Sequence, residues 1–305
     1  MTTAVLCMAY GGPRSMEEVE DYYTDIRGGR RPSPEALADL MGRYEAIGGL
    51  SPLPEITHRQ AAALGEALEA AAPGRFRTYV GMKHWHPFVR EAVEEIARDG
   101  AGEVLGLVLA PHYSRMSIGG YQQRLLAARA GLGAAFDAEV IPFWFDDPGF
   151  VAFAAANVRD ALAGWDRGEA GTKVFFSAHS LPERILAEGD PYKDQLLRSS
   201  AMVADAAGVQ HWEFAFQSQS HTGEPWLGPD VLASLEAFAA VGGRRAVVAP
   251  IGFVADHLEV LYDVDIEARR RAEELGIELR RTASPNDDPR FIEVLKGVVL
   301  ARRPG

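Results

Sequence analysis

The sequence predicts an α/β protein made of two similar doubly wound domains, each with a four-stranded parallel sheet flanked by helices. Short apolar, β-branched runs alternate with longer amphipathic stretches of helical period along the whole chain. Four such runs fall in each half of the 305 residues. Strand–helix alternation of this kind is typical of parallel sheets, which need helices on both faces.

The elements follow from the same pattern. The predicted strands cover residues 3–9, 77–82, 103–110 and 139–143 in the first half, and 173–176, 212–216, 245–249 and 277–281 in the second. Predicted helices include residues 55–71, 88–98, 150–163, 192–207 and 256–275. We predict domains at 1–146 and 147–305. The last helix begins at Asp287-Asp288-Pro289, a good helix start, and is expected to pack back on the first domain.

Composition excludes several classes of protein. The net charge of −12 argues against a nucleic-acid partner, which requires a basic surface. The single cysteine, Cys7, cannot supply the four thiolates of an iron–sulfur cluster. No apolar run approaches the roughly 20 residues that cross a bilayer, and residues 1–10 carry no basic signal region. We therefore expect a cytoplasmic protein without stable membrane insertion.

A histidine stands at the end of a predicted strand, in Ser177-Ala178-His179. Ligands of doubly wound sheets bind beyond the carboxyl ends of the strands. An imidazole with an ordinary pKa near 6.5 is a usable base there at neutral pH. The alternative is a histidine that only bonds loop backbone, and position alone leaves both interpretations open.

An acidic series follows at a spacing of four, with Glu259, Asp263 and Glu267 on one side of a predicted helix. Like charges at this spacing cost stability. The usual explanation is a solvated acidic face. The functional interpretation is a line of hard oxygen ligands for a divalent cation.

Basic and aromatic residues suggest a flat anionic ligand. A basic turn runs from Arg27 to Arg31, and Arg43 and Tyr44 follow one helix later. Guanidinium groups pair with carboxylates through two planar hydrogen bonds. Aromatic side chains could wall such a ligand or belong to the core: Tyr10, Tyr113, Tyr121 and Trp226.

Several segments, taken together and in order, resemble the ferrochelatase family, specifically its soluble bacterial coproporphyrin type. They are residues 8–13 (MAYGGP), 44–53 (YEAIGGLSPL), 177–182 (SAHSLP), 216–218 (FQS) with 226–227 (WL), and 250–265. The resemblance extends from Val5 to the end of the predicted 256–275 helix. It implies a chelatase-like fold with a porphyrin cleft between the two domains.

The resemblance also implies roles for individual residues. It makes His179 and Glu259 the catalytic, metal-handling pair and continues the metal path through Asp263 and Glu267. It places Tyr10 axial to the product iron. It implies substrate contacts at these residues: Tyr10, Arg27, Arg43, Tyr44, Ser51, Lys83, Tyr121 and Trp226.

The implied reaction is insertion of Fe²⁺ into coproporphyrin III in haem biosynthesis. The charged stretch 17–31 replaces the apolar lip of membrane-associated relatives and suits four substrate carboxylates better than two. We expect these two substrates, no further cofactor, a monomer, and a transient contact with a downstream haem-synthesis enzyme. The alternatives are a protoporphyrin IX ferrochelatase, a cobalt or nickel tetrapyrrole chelatase, and a non-catalytic porphyrin or haem carrier.

Overall fold

Two four-stranded parallel sheets form the centre of the protein, as predicted. The computed structural model describes residues 2–133, 136–166, 171–219 and 223–303. The first residue of the first predicted domain and the last two residues of the second lie outside the described residues. The first sheet contains β1 (Thr3–Ala9), β2 (Phe76–Met82), β3 (Glu103–Val108) and β4 (Asp137–Val140). The second contains β5 (Thr172–His179), β6 (Trp212–Gln217), β7 (Arg245–Ala249) and β8 (Glu278–Arg281).

Both sheets have the same strand order, β2-β1-β3-β4 and β6-β5-β7-β8. All neighbouring strands are parallel. The predicted α/β class with two similar doubly wound units is therefore confirmed. Strands β1 and β5 occupy equivalent central positions, and every residue of β1 is buried, as expected for a strand covered on both faces. The boundary between residues 146 and 147 stays a prediction.

Helices cover both sheets. In the first half they are α1 (Val19–Ile26, after a 3₁₀ turn at Met16–Glu18), α2 (Pro34–Ala46), α3 (Leu53–Ala71), α4 (Val89–Arg98) and α5 (Ile118–Leu132). Next come α6 (Pro148–Ala161), α7 (Arg184–Ala187), α8 (Tyr192–Ala207) and α9 (Val231–Ala240). A π-helical segment (Val260–Ala268) leads into α10 (Arg269–Glu274), and α11 is Pro289–Arg302. None of the helices in the described part of the chain combines the length and apolar character that crossing a membrane requires.

Three element predictions differ from the structure in an informative way. Strand β4 ends at Val140 rather than at 143. The amide of Ile141 still donates to Gly106, but the next carbonyl of the ladder, that of Val108, accepts the indole N–H of Trp144 instead of a strand amide. Strand β5 continues to His179 because Ser177–His179 pairs with β6. The helix predicted at 256–275 starts later, since Asp256 is held in the preceding loop: its amide donates to Asn286, and its carboxylate accepts from Asn286 and Ser284.

The last helix joins the two halves. Helix α11 packs against α3 of the first half and α6 of the second. Phe291 is fully buried, and its ring lies 6.0 Å from Trp144 and 5.6 Å from Phe153. At the ends of the helix, Asp287 pairs with Arg59, and Arg303 pairs with Glu103. The C-terminal residues thus contribute to the core of the first half.

We expect Phe291→Ala to lower the free energy of unfolding by about 3–5 kcal/mol, because it removes a buried ring from a packed aromatic cluster. Chemical denaturation followed by circular dichroism measures this. Val241, which is 81% exposed, provides the control: Val241→Ala should change stability by less than about 0.5 kcal/mol. A similar small change for Phe291→Ala would contradict the packing described here.

Candidate active site

The carboxyl ends of three strands, β1, β2 and β5, carry side chains that can take part in chemistry. Tyr10 directly follows β1, Lys83 follows β2, and His179 ends β5. The amide of Lys83 donates to the carbonyl of Ala9 at 2.9 Å, which continues the sheet for one residue beyond β2. Since β1 and β5 are equivalent strands, the two halves present Tyr10 and His179 from corresponding positions.

His179 and Glu259 form a direct pair. The Nε2 atom of His179 lies 3.4 Å from Oε1 of Glu259. The other ring nitrogen, Nδ1, donates to the carbonyl of Ser180, which fixes the ring orientation. Both side chains keep about a third of their surface exposed, 31% and 33%. The pair is therefore held in place and still accessible from solvent.

The pair holds one proton at neutral pH. Burial lowers the pKa of His179, but the charge of Glu259 and its hydrogen bond outweigh burial and raise the pKa to about 9. Burial likewise raises the pKa of Glu259, and the facing imidazole of His179 more than offsets this and holds it well below its usual range. The resting state is thus an imidazolium beside a carboxylate, whereas the sequence alone suggested a neutral ring.

A second histidine, His257, lies on the other side of the same carboxylate. Its Nε2 is 3.6 Å from Oε2 of Glu259, and its Nδ1 donates to the carbonyl of Ala255 at 3.0 Å. Sequence reasoning missed this residue. Its position two residues before Glu259 was the available signal. Glu259 therefore lies between two imidazoles.

Asp263 lies farther along the π-helical segment and has its own partners. It accepts a hydrogen bond from Ser218, and Nη1 of Arg43 lies 3.7 Å away across the two halves. Burial, and then the like charge of Glu259, raise the pKa of Asp263 to about 6. Ser218 has a left-handed backbone with φ of 62°. Glu267 is half-buried on the same segment, near Arg43.

The start of the π-helical segment is anchored from two directions. The hydroxyl of Ser51 accepts the amide hydrogen of Leu258 at 3.3 Å, so Ser51 also anchors this segment, and its predicted substrate contact stays a prediction. The side-chain amide of Gln217 donates to the carbonyl of Glu259 at 3.4 Å. Farther along the segment, Arg281 binds both carboxylate oxygens of Asp265 at 2.8 and 2.9 Å. π-Helical turns are rare and are frequent at functional sites.

Tyr10, Lys83 and Tyr121 form the wall contributed by the first half. The Nζ atom of Lys83 lies 5.3 Å from the ring centre of Tyr121 and 6.0 Å from that of Tyr10. Burial, and then the neighbouring Arg124, lower the pKa of Lys83 to about 8. Tyr10 is 40% exposed, and desolvation within the site together with the charge of Glu259 raises the pKa of its phenol.

The remaining predicted residues differ in their placement. The ring of Trp226 lies 6.3 Å from that of His179. Tyr44 is buried, and the charge of Glu259 contributes to raising its pKa. Arg43 binds Asp39 and Asp263 rather than pointing freely into solvent. Arg27 is exposed at the end of α1, over the ring of Tyr23, and contacts none of the other predicted site residues described in this structure.

The acidic residues among the predicted metal residues lie at or on the π-helical segment, spaced by four residues. Across residues 2–133, 136–166, 171–219 and 223–303, no three His, Cys, Asp or Glu side chains are grouped so that they could hold a metal ion. Tyr10 and Glu259 lie within electrostatic range of each other, and Asp263 and Glu267 follow on the π-helical segment. The roles assigned to these residues stay predictions.

Two equivalent parallel sheets, with an imidazole–carboxylate pair at the carboxyl edge of the second sheet, define a chelatase-like α/β protein. Solved structures agree on this fold. SirB from Bacillus subtilis matches with a TM-score of 0.60 at 10% identity, over 100% of this chain and 98% of its own. A multi-domain protein of Deinococcus radiodurans, described as similar to chelatases, matches with a TM-score of 0.57 at 13% identity. This chain spans 54% of its length, and the match covers 97% of this chain.

Sequence comparison identifies the family within this class. The ferrochelatase family profile matches residues 2–303. The "Ferrochelatase" of Herpetosiphon aurantiacus is 46% identical over 98% of this chain and 99% of its own. The "Coproporphyrin III ferrochelatase" of Geobacillus kaustophilus is 47% identical over 99% and 96%, and that of Oceanobacillus iheyensis is 44% identical over 98% and 96%. The chain belongs to the ferrochelatase family.

The ion pair makes a titration prediction. In Glu259→Gln, the pKa of His179 should fall from about 9 to its ordinary value of 6.5 or lower, because the opposing charge is lost while burial remains. Proton NMR of the histidine ring measures it, with the exposed Glu274→Gln as control. The raised pKa also means that the stabilisation from this pair is complete below pH 6.5 and is lost as the pH rises through about 9. An unchanged pKa in Glu259→Gln would exclude the ion pair.

Proposed function

We propose that this protein inserts Fe²⁺ into coproporphyrin III to give iron coproporphyrin in haem biosynthesis. The observation that carries the proposal is the His179–Glu259 pair, 3.4 Å apart at the end of the central strand β5. The position is accessible, the ring is oriented by backbone, and acidic residues continue from it along the π-helical segment. Family membership and the names of the relatives support the same reaction.

The reaction needs a proton acceptor next to a metal path. A free porphyrin carries two pyrrole protons, and both must leave when Fe²⁺ takes its place between the four nitrogens. His179 and Glu259 would receive these protons at the face of the ring. A protonated imidazole cannot bind a metal, so His179 acts either as base or as ligand at any one moment.

Asp263 and Glu267 would bring the iron to the pair. Carboxylates are hard oxygen donors that bind divalent cations and displace their water. The charge of Glu259 contributes to raising the pKa of Asp263 to about 6, and a dication would relieve this repulsion. Arg43, 3.7 Å from Asp263, balances the carboxylate while no metal is bound.

Tyr10 would act on the opposite face of the porphyrin. It follows β1, the strand equivalent to the one that ends in His179, and is 40% exposed. A phenol oxygen in this place can become an axial ligand of the iron once the metal lies in the ring. Lys83 and Tyr121, beside Tyr10, would bind the edge of the macrocycle, and Trp226 would cover the His179 side.

The choice of coproporphyrin rests on charge. Coproporphyrin III carries four carboxylates and protoporphyrin IX two, and the turn after α1 exposes the cation of Arg27. Protoporphyrin IX is the alternative substrate, cobalt or nickel the alternative metals, and a non-catalytic carrier the alternative function. The proposal includes a cytoplasmic monomer that needs no cofactor beyond the substrate iron and that contacts a downstream haem-synthesis enzyme transiently.

Removing the imidazole tests the mechanism. At saturating porphyrin, His179→Ala should lower kcat for Fe²⁺ insertion by about a hundredfold or more, because general acid–base groups contribute about 10²–10⁴ to the rate. An anaerobic spectrophotometric assay with coproporphyrin III measures it. His58→Ala, an exposed histidine on α3, is the control and should behave as wild type. Turnover of His179→Ala close to wild type would remove His179 from the mechanism.

Charge reversal tests the substrate. Arg27→Glu should weaken binding of coproporphyrin III on the order of tenfold, because a charge-assisted bond is replaced by repulsion. Binding of protoporphyrin IX should change less. Fluorescence quenching of the metal-free porphyrins gives both dissociation constants. The exposed Arg98 at the end of α4 provides the control, Arg98→Glu. Equal losses for both porphyrins would contradict the charge argument.

A further inference from the structure

A buried carboxylate outside the site described above joins the two halves of the protein. Asp190 lies in the turn between α7 and α8 and is only 8% exposed. One of its oxygens accepts hydrogen bonds from the Ser114 hydroxyl at 3.0 Å and the Arg115 amide at 2.7 Å. The other accepts the Tyr192 amide at 3.0 Å. Ser114 and Arg115 belong to the first half, so this carboxylate bridges the two.

The first branch from Asp190 leads to the wall of Tyr10, Lys83 and Tyr121. The loop that contains Ser114 continues to Met116, whose carbonyl accepts a hydrogen bond from Nζ of Lys83 at 3.2 Å. Helix α5 begins two residues later and carries Tyr121. The hydroxyl of Ser114 also accepts the amide hydrogen of Met116 at 3.2 Å. Fixing Ser114 therefore fixes the carbonyl that holds Lys83.

The second branch leads to the catalytic pair. Asp190 binds the amide of Tyr192 at the start of α8, and the hydroxyl of Tyr192 donates to the carbonyl of His179 at 3.0 Å. Tyr192 is buried, so its ring occupies a defined position. The same helix provides Gln195, whose side chain accepts the Tyr113 amide hydrogen at 2.7 Å. The backbone of His179 is thus linked to Asp190 through one side chain.

We infer that Asp190 is a positioning residue that sets the placement of the wall of Tyr10, Lys83 and Tyr121 relative to His179. The inference rests on the proposed function, because it concerns how the two sides of that site are held around a macrocycle. Bonds from buried donors to an ionised carboxylate are stronger than neutral ones, and losing the acceptor leaves the donors unsatisfied. The exposed Arg115–Glu188 pair also joins the halves, at 3.3 Å, but exposed pairs contribute little.

The experiment separates the two branches by kinetics. Ser114→Ala cuts the first branch and should raise KM for porphyrin about three- to tenfold with little change in kcat. Tyr192→Phe cuts the second and should lower kcat about three- to tenfold with KM nearly unchanged. Asp190→Ala should do both, and the double variant of Ser114→Ala and Tyr192→Phe should reproduce its profile.

Controls make the outcome specific. Glu188→Gln, two residues away at the same junction, should match wild type in KM and kcat. Fluorescence quenching gives the dissociation constant for metal-free porphyrin, which should rise for Ser114→Ala. This measurement does not require iron insertion, so it tests the inference even if the wild-type protein inserts no iron. A failure of the proposed function is thereby distinguished from a failure of this inference. If Asp190→Ala does not fold, the two branch variants carry the test. Identical effects of both branch variants, or none, would overturn the assignment.

Discussion

Glu259 directly precedes the π-helical segment and Asp263 lies on it four residues later, and two carboxylates this close repel each other. The structure provides a separate partner for each. His179 faces Glu259 at 3.4 Å, and Arg43 with Ser218 compensates Asp263. These partners come from three different elements of the fold. Strand β5 must therefore extend to His179, and helix α2 must approach from the other half. The positions of β5 and α2 thus bring His179 and Arg43 to the two carboxylates and compensate their negative charge.

Two residues that were predicted to contact substrate also contact the acidic segment. The resemblance implied that Arg43 contacts substrate, and its guanidinium also lies near Asp263 and over the ring of Tyr262 at 4.9 Å. Ser51 was expected to contact substrate, and its hydroxyl also accepts the amide hydrogen of Leu258. Both residues support the acidic segment, and their predicted substrate contacts stay predictions. The exposed cation of Arg27 and the half-buried amine of Lys83 are well placed to meet an anionic ligand, since neither faces a carboxylate in the part of the chain described.

Sequence pattern was sufficient for the fold because most of the strands are buried apolar runs and strands alternate with helices, whereas the outer strands β4 and β8 are short and mostly not buried. It also found His179 and Glu259, whose segments are those of the ferrochelatase family. It could not show the π-helical turns, since an acidic residue every fourth position fits an α-helix equally well. It missed His257 and Asp190 for a related reason. His257 matters through the local geometry that turns its ring toward Glu259, and Asp190 matters through Ser114 and Arg115, which are distant in sequence. Neither residue has a periodic signature.

The protonation of the resting pair bears on the order of events in the proposed reaction. With its pKa near 9, His179 starts as an imidazolium and has no free lone pair for a pyrrole proton. The positive charge of Fe²⁺ near Asp263 and Glu259 would weaken the attraction that holds this proton, and so lower the pKa. Burial, which opposes the charged ring, acts in the same direction. Arrival of the metal would thereby release the proton to solvent, to which the pair is about a third exposed, and prepare the base. In the proposed arrangement the acidic path would do more than deliver iron, because the ion would also convert His179 into the form that can accept a proton from the porphyrin.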